Sequence, residues 1–346
     1  MSHEVPQELR DDSADGATVT HRTPDERFVD LPDFPFAPHY VDVAARPGST
    51  STLRMHHLDE RPSSGAGGPV VVLLHGEPSW SYLYRHMIPP IVAAGFRCIA
   101  PDLVGFGRSD KPVDRSAYSY AAHTEWLRTL LFDQLDLDDV VLFCQDWGGL
   151  LGLRLVGLHP DRFAAVLASN TTLPVGTDVP AAFAAWQEFS QTVADFDAGM
   201  IVQRASSRTL RDDEVDAYRA PFDTAESLAG ARQFPMLVPT SADDPEALVN
   251  VKAWQGLETF SKPFVTVFGT ADPVTRGGQR PMQVRIPGAA GQSHELVEGA
   301  HHFIQEDCPL RLAERVIDLA QGVGRGRVRG RAEHRRHRER FTTPEP

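Results

Sequence analysis

Apolar positions in this chain follow two rhythms. Val70–Leu74, Val140–Cys144, Val166–Ser169 and Phe264–Phe268 are short, unbroken apolar runs, the character of strands buried on both faces. Arg97–Ala100 and Glu295–Val297 read as further strands. The second rhythm is helical. His123–Leu135 carries Trp126, Leu127, Leu130 and Leu131 on one face, a helix from Trp147 to about His159 is ended by Pro160, and a last helix covers Pro309–Gln321. Tyr40–Ala45 and Leu53–Leu58 around Pro47-Gly48 predict a hairpin. Strand and helix in alternation predict an α/β fold, a mostly parallel central sheet flanked by helices.

The pattern also predicts boundaries. Residues 1–36 are rich in Asp, Glu, Pro and Ser without an apolar period, and read as a mobile arm lying across the surface. The core begins over 37–172. Between Leu173 and Val249 the strand signal vanishes and apolar residues recur at helical spacing, so 173–249 is expected to be an inserted helical cap. The core resumes over 250–322, and 323–346 reads as a disordered Arg-rich tail.

Composition narrows the function classes. Residues 325–340 hold eight Arg against two Glu, so the body is more acidic than the net −13 of the whole chain. An acidic body argues against a nucleic-acid-binding core, leaving only the basic tail for such a partner. The longest apolar runs, Phe163–Ala168 and Ala181–Trp186, fall far short of the roughly 20 residues that cross a bilayer. The opening MSHEVPQELRDD lacks the basic start and apolar stretch of a signal peptide, which predicts a cytoplasmic protein without a membrane partner. Cys98, Cys144 and Cys308 are too few and too scattered for a disulfide framework or a zinc cage.

The chemistry concentrates in VVLFCQDWGGLLGL (140–153). A buried strand runs straight into a helix through Cys144-Gln145-Asp146-Trp147-Gly148, the spacing of a nucleophile elbow with Asp146 where a serine hydrolase has Ser. The helix starting at Trp147 aims its N–H groups at that carboxylate. A carboxylate needs no base to attack saturated carbon; only the ester it forms needs one, to be opened by water. In LLHGEPSW (73–80), at the carboxyl end of the central strand, the backbone N–H of Glu77 joins that of Trp147 as an expected oxyanion hole. FVTVFGTADPV (264–274) sets Asp272 on a turn after the penultimate strand, as the acid that orients a histidine. GAHHFIQED (299–307) offers two candidates for that histidine, His301 and His302, while Asp307 reads as a helix N-cap before Pro309.

These stretches resemble the haloalkane dehalogenases of the α/β-hydrolase superfamily, near the subfamily acting on short haloalkanes such as 1,2-dichloroethane. The resemblance covers roughly residues 40–322 and rests on HGEPSWSYLYR (75–85), PDLVGFGRSDKPVD (101–114), QDWGGLLGL (145–153), FAAW (183–186), YRAPF (218–222), ARQFP (231–235) and HHFIQED (301–307). It implies Asp146 as nucleophile, His302 rather than His301 as base, and Asp272 as its acid partner. It further implies halide binding by the indole N–H groups of Trp147 and Trp186, with no metal or organic cofactor. The implied partners are a small apolar halogenated substrate and the halide ion, on a chain expected to act as a monomer. His301 departs from the family, which has glycine there.

An epoxide hydrolase is the alternative that shares an elbow Asp, but it typically needs two cap tyrosines, and residues 173–249 hold only Tyr218. A fluoroacetate dehalogenase is expected to show Asp-Arg at the elbow, and here Trp147 follows Asp146. A non-catalytic relative would usually have lost a triad member.

Overall fold

A computed structural model of the chain describes residues 18–340 except 64, 66, 67 and 178, and over 326–340 gives only the course of the helix. In chain order the strands are β1 (Thr20–His21), β2 (His39–Ala44), β3 (Thr52–Glu60), β4 (Val70–Leu74), β5 (Cys98–Pro101), β6 (Lys111–Pro112), β7 (Val140–Gln145), β8 (Phe163–Ser169), β9 (Phe264–Gly269) and β10 (Glu295–Val297). Eight of them form one sheet in the order β10-β9-β8-β7-β4-β5-β3-β2, parallel from β10 to β5 and antiparallel over the β3 and β2 hairpin. The order runs outward from β4 in both directions, placing the carboxyl ends of β4 and β7 side by side, with Leu74 opposite Cys144. This is the α/β-hydrolase architecture.

The apolar runs are unbroken because both faces of the sheet are covered. Val72, Leu74, Leu142 and Cys144 point into one apolar cluster, and Val71, Leu73, Val141 and Phe143 into the other. The helices are α1 (Ile88–Ala93), α2 (Tyr120–Arg128), α3 (Trp147–Leu158), α4 (Ala181–Thr192), α5 (Ala198–Arg204), α6 (Asp212–Arg219), α7 (Ala229–Gln233), α8 (Pro245–Leu257), α9 (Gln279–Arg285), α10 (Ile304–Asp307) and α11 (Pro309–Arg340). α2 continues into a π-helical turn, Thr129–Gln134, so the expected helix His123–Leu135 is two differently wound pieces. Among the described residues no helix is long and apolar enough to cross a membrane.

Three boundaries differ from the sequence expectation. Residues 18–36 are docked: β1 pairs with β6, Arg22 makes a two-pronged bond to Asp110 at 2.7 and 2.8 Å, and Phe28 and Phe34 pack on Trp80 with centroids 5.5 and 5.1 Å apart. Two aromatic anchors hold a segment that has no period. The rest of the expected arm, residues 1–17, lies outside the described residues. α8 runs through the expected cap boundary at Val249, because Ala247, Asn250, Ala253, Trp254 and Leu257 continue one buried stripe; Asn250 Oδ1 accepts from Arg154 Nε on α3 at 2.8 Å. The backbone of α11 stays helical to Arg340, past the expected end at Gln321. No proline interrupts 310–340, and Arg, Ala and Glu tolerate helix well. Residues 341–346 of the expected tail lie outside the described residues.

Cap and core meet in a buried ionic cluster. Arg85, fully buried, donates to Glu306 on α10 at 2.6 Å and to Glu214 on α6 at 2.8 Å. Arg208 pairs with both acids, and the Tyr218 hydroxyl donates to Glu306. Arg85, Tyr218 and Glu306 come from three of the stretches that carried the resemblance. Deleting one partner leaves an uncompensated buried charge. Glu306→Ala is therefore expected to lower stability by about 3–5 kcal/mol, read from the urea unfolding midpoint, with faster proteolysis in the cap.

Candidate active site

β7 leaves the sheet at Gln145, and the chain turns into α3 through Asp146, whose backbone sits at φ 51° and ψ −127°. A side-chain-bearing residue held there costs of order 1–3 kcal/mol, so the surroundings must enforce it. They do so on three sides. Asp146 N donates to Asn170 O at 3.0 Å, its carbonyl accepts from Gly149 N at 2.9 Å, and Thr171 Oγ1 donates to the same carbonyl at 2.8 Å. The turn is tight enough to demand glycine on both flanks: a Cβ on Gly148 would stand 2.1 Å from Leu74 O, and one on Gly76 would stand 2.2 Å from Asp146 Oδ1. Glu77 N donates to Asp146 Oδ1 at 2.8 Å, while Trp147 opens α3 with its own N–H at the helix start.

The other carboxylate oxygen faces a histidine. His302 Nε2 lies 3.4 Å from Asp146 Oδ2, and His302 Nδ1 lies 3.0 Å from Asp272 Oδ2. Asp272 also accepts from Val274 N at 2.8 Å and from the Thr275 hydroxyl. Burial pushes the Asp272 carboxyl up, but the imidazole and these donors outweigh it and hold it well below the usual carboxylate range. Burial opposes charge on His302 too, yet Asp272 and the Asp146 contact lift the ring to about 10. His301 is placed differently. Its Nδ1 accepts from His302 N at 2.8 Å, and its own N–H donates to Asp307 at 2.7 Å. Asp307 also accepts from the Ser207 and Arg208 N–H groups, so these contacts differ from the N-cap expected before Pro309.

A cavity of about 350 Å³ under the cap is lined by Glu77, Asp146, Trp147, Phe183, Trp186 and His302. A second, of about 260 Å³, shares Asp146, Trp147, Phe183 and Val274 with it and reaches toward Arg276. The five tryptophans divide clearly. The indole N–H of Trp80 donates to Ala217 O, that of Trp126 to Ala44 O and that of Trp254 to Leu173 O. Among the described residues, those of Trp147 and Trp186 meet no protein acceptor, and both rings line the cavity beside Asp146. Tyr218, the single cap tyrosine, is fully buried with its hydroxyl committed to Glu306 and lines neither cavity.

Two polar side chains at the site escaped the sequence reading. Glu77 entered it only through its backbone, yet its carboxyl is buried against Asp146 with Oε1 unpartnered; burial first, and then the Asp146 charge, push it well above the usual range. Gln145 entered only as a spacer, yet its side chain lies against His302. Its position immediately before Asp146 was the one available signal. Among the described residues a single group has metal-ligand proximity, Asp33, His86 and Glu214, and Glu214 there is already engaged by Arg85 and Arg208.

Comparison with known proteins adds to this geometry. A profile of the alpha/beta hydrolase fold matches residues 69–309. A haloalkane dehalogenase of Psychrobacter cryohalolentis is 50% identical over 299 residues, covering 86% of this chain and 97% of that protein. Another, of Mycobacterium marinum, is 48% identical over 297 residues, covering 86% and 98%. The tetrameric structure of a haloalkane dehalogenase from Paraglaciecola agarilytica superposes with a TM-score of 0.78 at 37% identity, over 86% of this chain and 97% of that one.

Asp146 is one of the groups holding the imidazole in its charged form, so its neutralisation should release it. In Asp146→Asn the His302 ring is expected to titrate below its value of about 10, followed by the imidazole C–H resonances in NMR. An unmoved resonance would mean that Asp272 alone sets the charge.

Proposed function

Because the chain belongs to the haloalkane dehalogenases, hydrolases that convert haloalkanes to alcohols, we propose that it does so through a covalent ester on Asp146. The observation that carries this reading is a carboxylate, not a hydroxyl, on the strained elbow, with a histidine 3.4 Å away and an acid behind that histidine. In the first step an Asp146 oxygen attacks the carbon bearing the halogen from the side opposite the halogen. The new C–O bond forms as the C–X bond breaks, and the electron pair leaves on the halide. Trp147 and Trp186 receive it: their indole N–H groups are the two without an acceptor, and an indole offers a donor on an apolar plate.

Alkylation abolishes the Asp146 charge, and with it part of what held His302 protonated. The imidazole gives up that proton to solvent and becomes a base when an ester is present for it to serve. Water then adds to the Asp146 carbonyl carbon while His302 Nε2 takes its proton, and Asp272 stabilises the imidazolium. The N–H groups of Glu77 and Trp147 meet the oxyanion, a placement supported by the 2.8 Å contact from Glu77 N to Asp146 Oδ1. Collapse breaks the bond to the alkyl oxygen, which leaves as alcohol with the proton from His302. The acid left on Asp146 loses its remaining proton and the carboxylate is restored. No step calls on a metal or an organic cofactor.

We read the cavity of about 350 Å³ as the haloalkane site, since its walls are apolar apart from Glu77, Asp146, His301, His302 and the two indoles. A cytoplasmic monomer is the expected form, and size-exclusion chromatography separates it from the tetramer described for the Paraglaciecola protein.

Two outcomes test the mechanism. His302→Gln should release one equivalent of halide from 1,2-dibromoethane and then stop, with the alkyl ester on Asp146 visible by intact mass; repeated turnover would sink the assignment. Trp186→Phe should weaken bromide binding about tenfold to a hundredfold in a direct binding titration, the worth of one hydrogen bond to a charged group. Styrene oxide run beside 1-bromobutane checks the epoxide alternative, and diol without halide release would favour it.

A further inference from the structure

Gln145, the last residue of β7, is fully buried and lies against the imidazole of His302. Its Nε2 stands 3.2 Å from His302 Nε2 and donates to the His302 carbonyl oxygen at 3.2 Å. That carbonyl also accepts from Asn170 Nδ2 at 3.0 Å, and Asn170 is itself fixed by Gly269 N donating to its Oδ1 at 2.8 Å. At its other end, Gln145 Oε1 faces the amide nitrogen of Gln305 at 3.5 Å. Flipping the Gln145 carboxamide would set its oxygen against the His302 carbonyl and its NH2 against that of Gln305. Acceptor would face acceptor and donor would face donor, so the NH2 is locked toward the imidazole.

His302 Nε2 thus faces two partners that ask for opposite protonation. Asp146 Oδ2, at 3.4 Å, favours a proton on that nitrogen, whereas the Gln145 NH2 requires its lone pair. While Asp146 is ionised the two compete. Once Asp146 is esterified, Gln145 is the partner that remains. We infer that Gln145 is a positioning residue for the hydrolytic step, holding His302 as the neutral imidazole with its proton on Nδ1 and its Nε2 unprotonated until the attacking water takes the place of the amide donor. The inference rests on the proposed reading of His302 as the base.

The groups around the ring make such a device useful. Asp272 faces Nδ1 and favours the charged ring at both stages; Asp146 does so only while ionised. The Glu77 carboxyl, its pKa pushed up by burial and then by the Asp146 charge, also lies near the site, and His301 turns an acceptor to the backbone N–H of His302. Against the persistent pull of Asp272, a locked donor at Nε2 brings the base back toward the pH at which the enzyme works. General-base catalysis is most effective there.

The test separates the two chemical steps. Gln145→Leu removes the donor, and Gln145→Glu keeps the shape while replacing the donor with groups that accept from a protonated Nε2. For each, halide release and ester hydrolysis are followed in single turnovers of 1-bromobutane across pH, with the alkyl-enzyme quantified by intact mass. The acidic limb of ester hydrolysis is expected to move up by about one pH unit or more, further in Gln145→Glu than in Gln145→Leu. Ester should then accumulate at pH values where the parent enzyme shows none, while the limb for halide release stays in place. A hydrolysis limb that does not move, with both steps slowed in parallel, overturns the inference and leaves Gln145 a packing residue. Should Gln145→Leu fail to fold, the near-isosteric Gln145→Glu decides by the same readout. His302→Gln run alongside distinguishes the two failures: if it traps no ester, the base assignment falls, and if it traps ester while the limb is unmoved, only the role of Gln145 falls.

Discussion

The molecule depends on one strained residue. Asp146 occupies a backbone conformation that its side chain disfavours, and the proposed reaction needs it there, because that turn lifts the carboxylate into the cavity. The cost falls on the surroundings. Gly76 must lack a side chain because the Asp146 carboxylate takes its space, and Gly148 because α3 closes on the end of β4. β7 is buried at every position, so the strand has no freedom to relax the turn. The Glu77 and Trp147 N–H groups, His302 and the cavity are arranged around a geometry that the buried sheet imposes.

The buried ionic cluster serves the same end at longer range. Replacing such a cluster with apolar side chains is often neutral or stabilising, so its net contribution to stability is a poor account of its presence. Its effect is positional. Glu306 sits four residues beyond His302 and is held by Arg85 from the core and by Arg208 from the cap. Asp307 ties the Ser207 and Arg208 N–H groups to that of His301. The loop bearing His302 and the loop leading into α6 are thus one bonded unit, so the segment around Ser207 and Arg208 helps set the position of His302.

What could be read from the sequence follows from how local each signal is. The strand runs and α3 are local patterns, and they landed within a few residues of the observed elements. Asp146 was legible because an elbow is a contiguous motif. His302 was not separable from His301 by residue type or spacing alone. The distinction lies in which ring reaches Asp272, thirty positions away in the chain, and the resemblance supplied what the spacing did not. α8 crossed the expected cap boundary because its buried stripe continues where no composition change marks it. The docking of residues 18–36 rests on Phe28 and Phe34 finding Trp80, a contact with no periodic trace. Gln145 was invisible as chemistry because an amide shows its use only when its neighbours fix which end donates.

The docked N-terminal segment also bears on how the chain is made. The Thr23 hydroxyl donates to Pro221 O at 2.7 Å, and His21 bonds Asp223 at 2.7 Å, contacts about two hundred positions apart. Residues 18–36 leave the ribosome long before Pro221 and Asp223, so these two bonds cannot form until the chain has been made past Asp223. Phe28 and Phe34 can reach Trp80 much earlier, whereas the bonds of His21 and Thr23 to the later residues close only afterwards, so the segment is fastened in two stages.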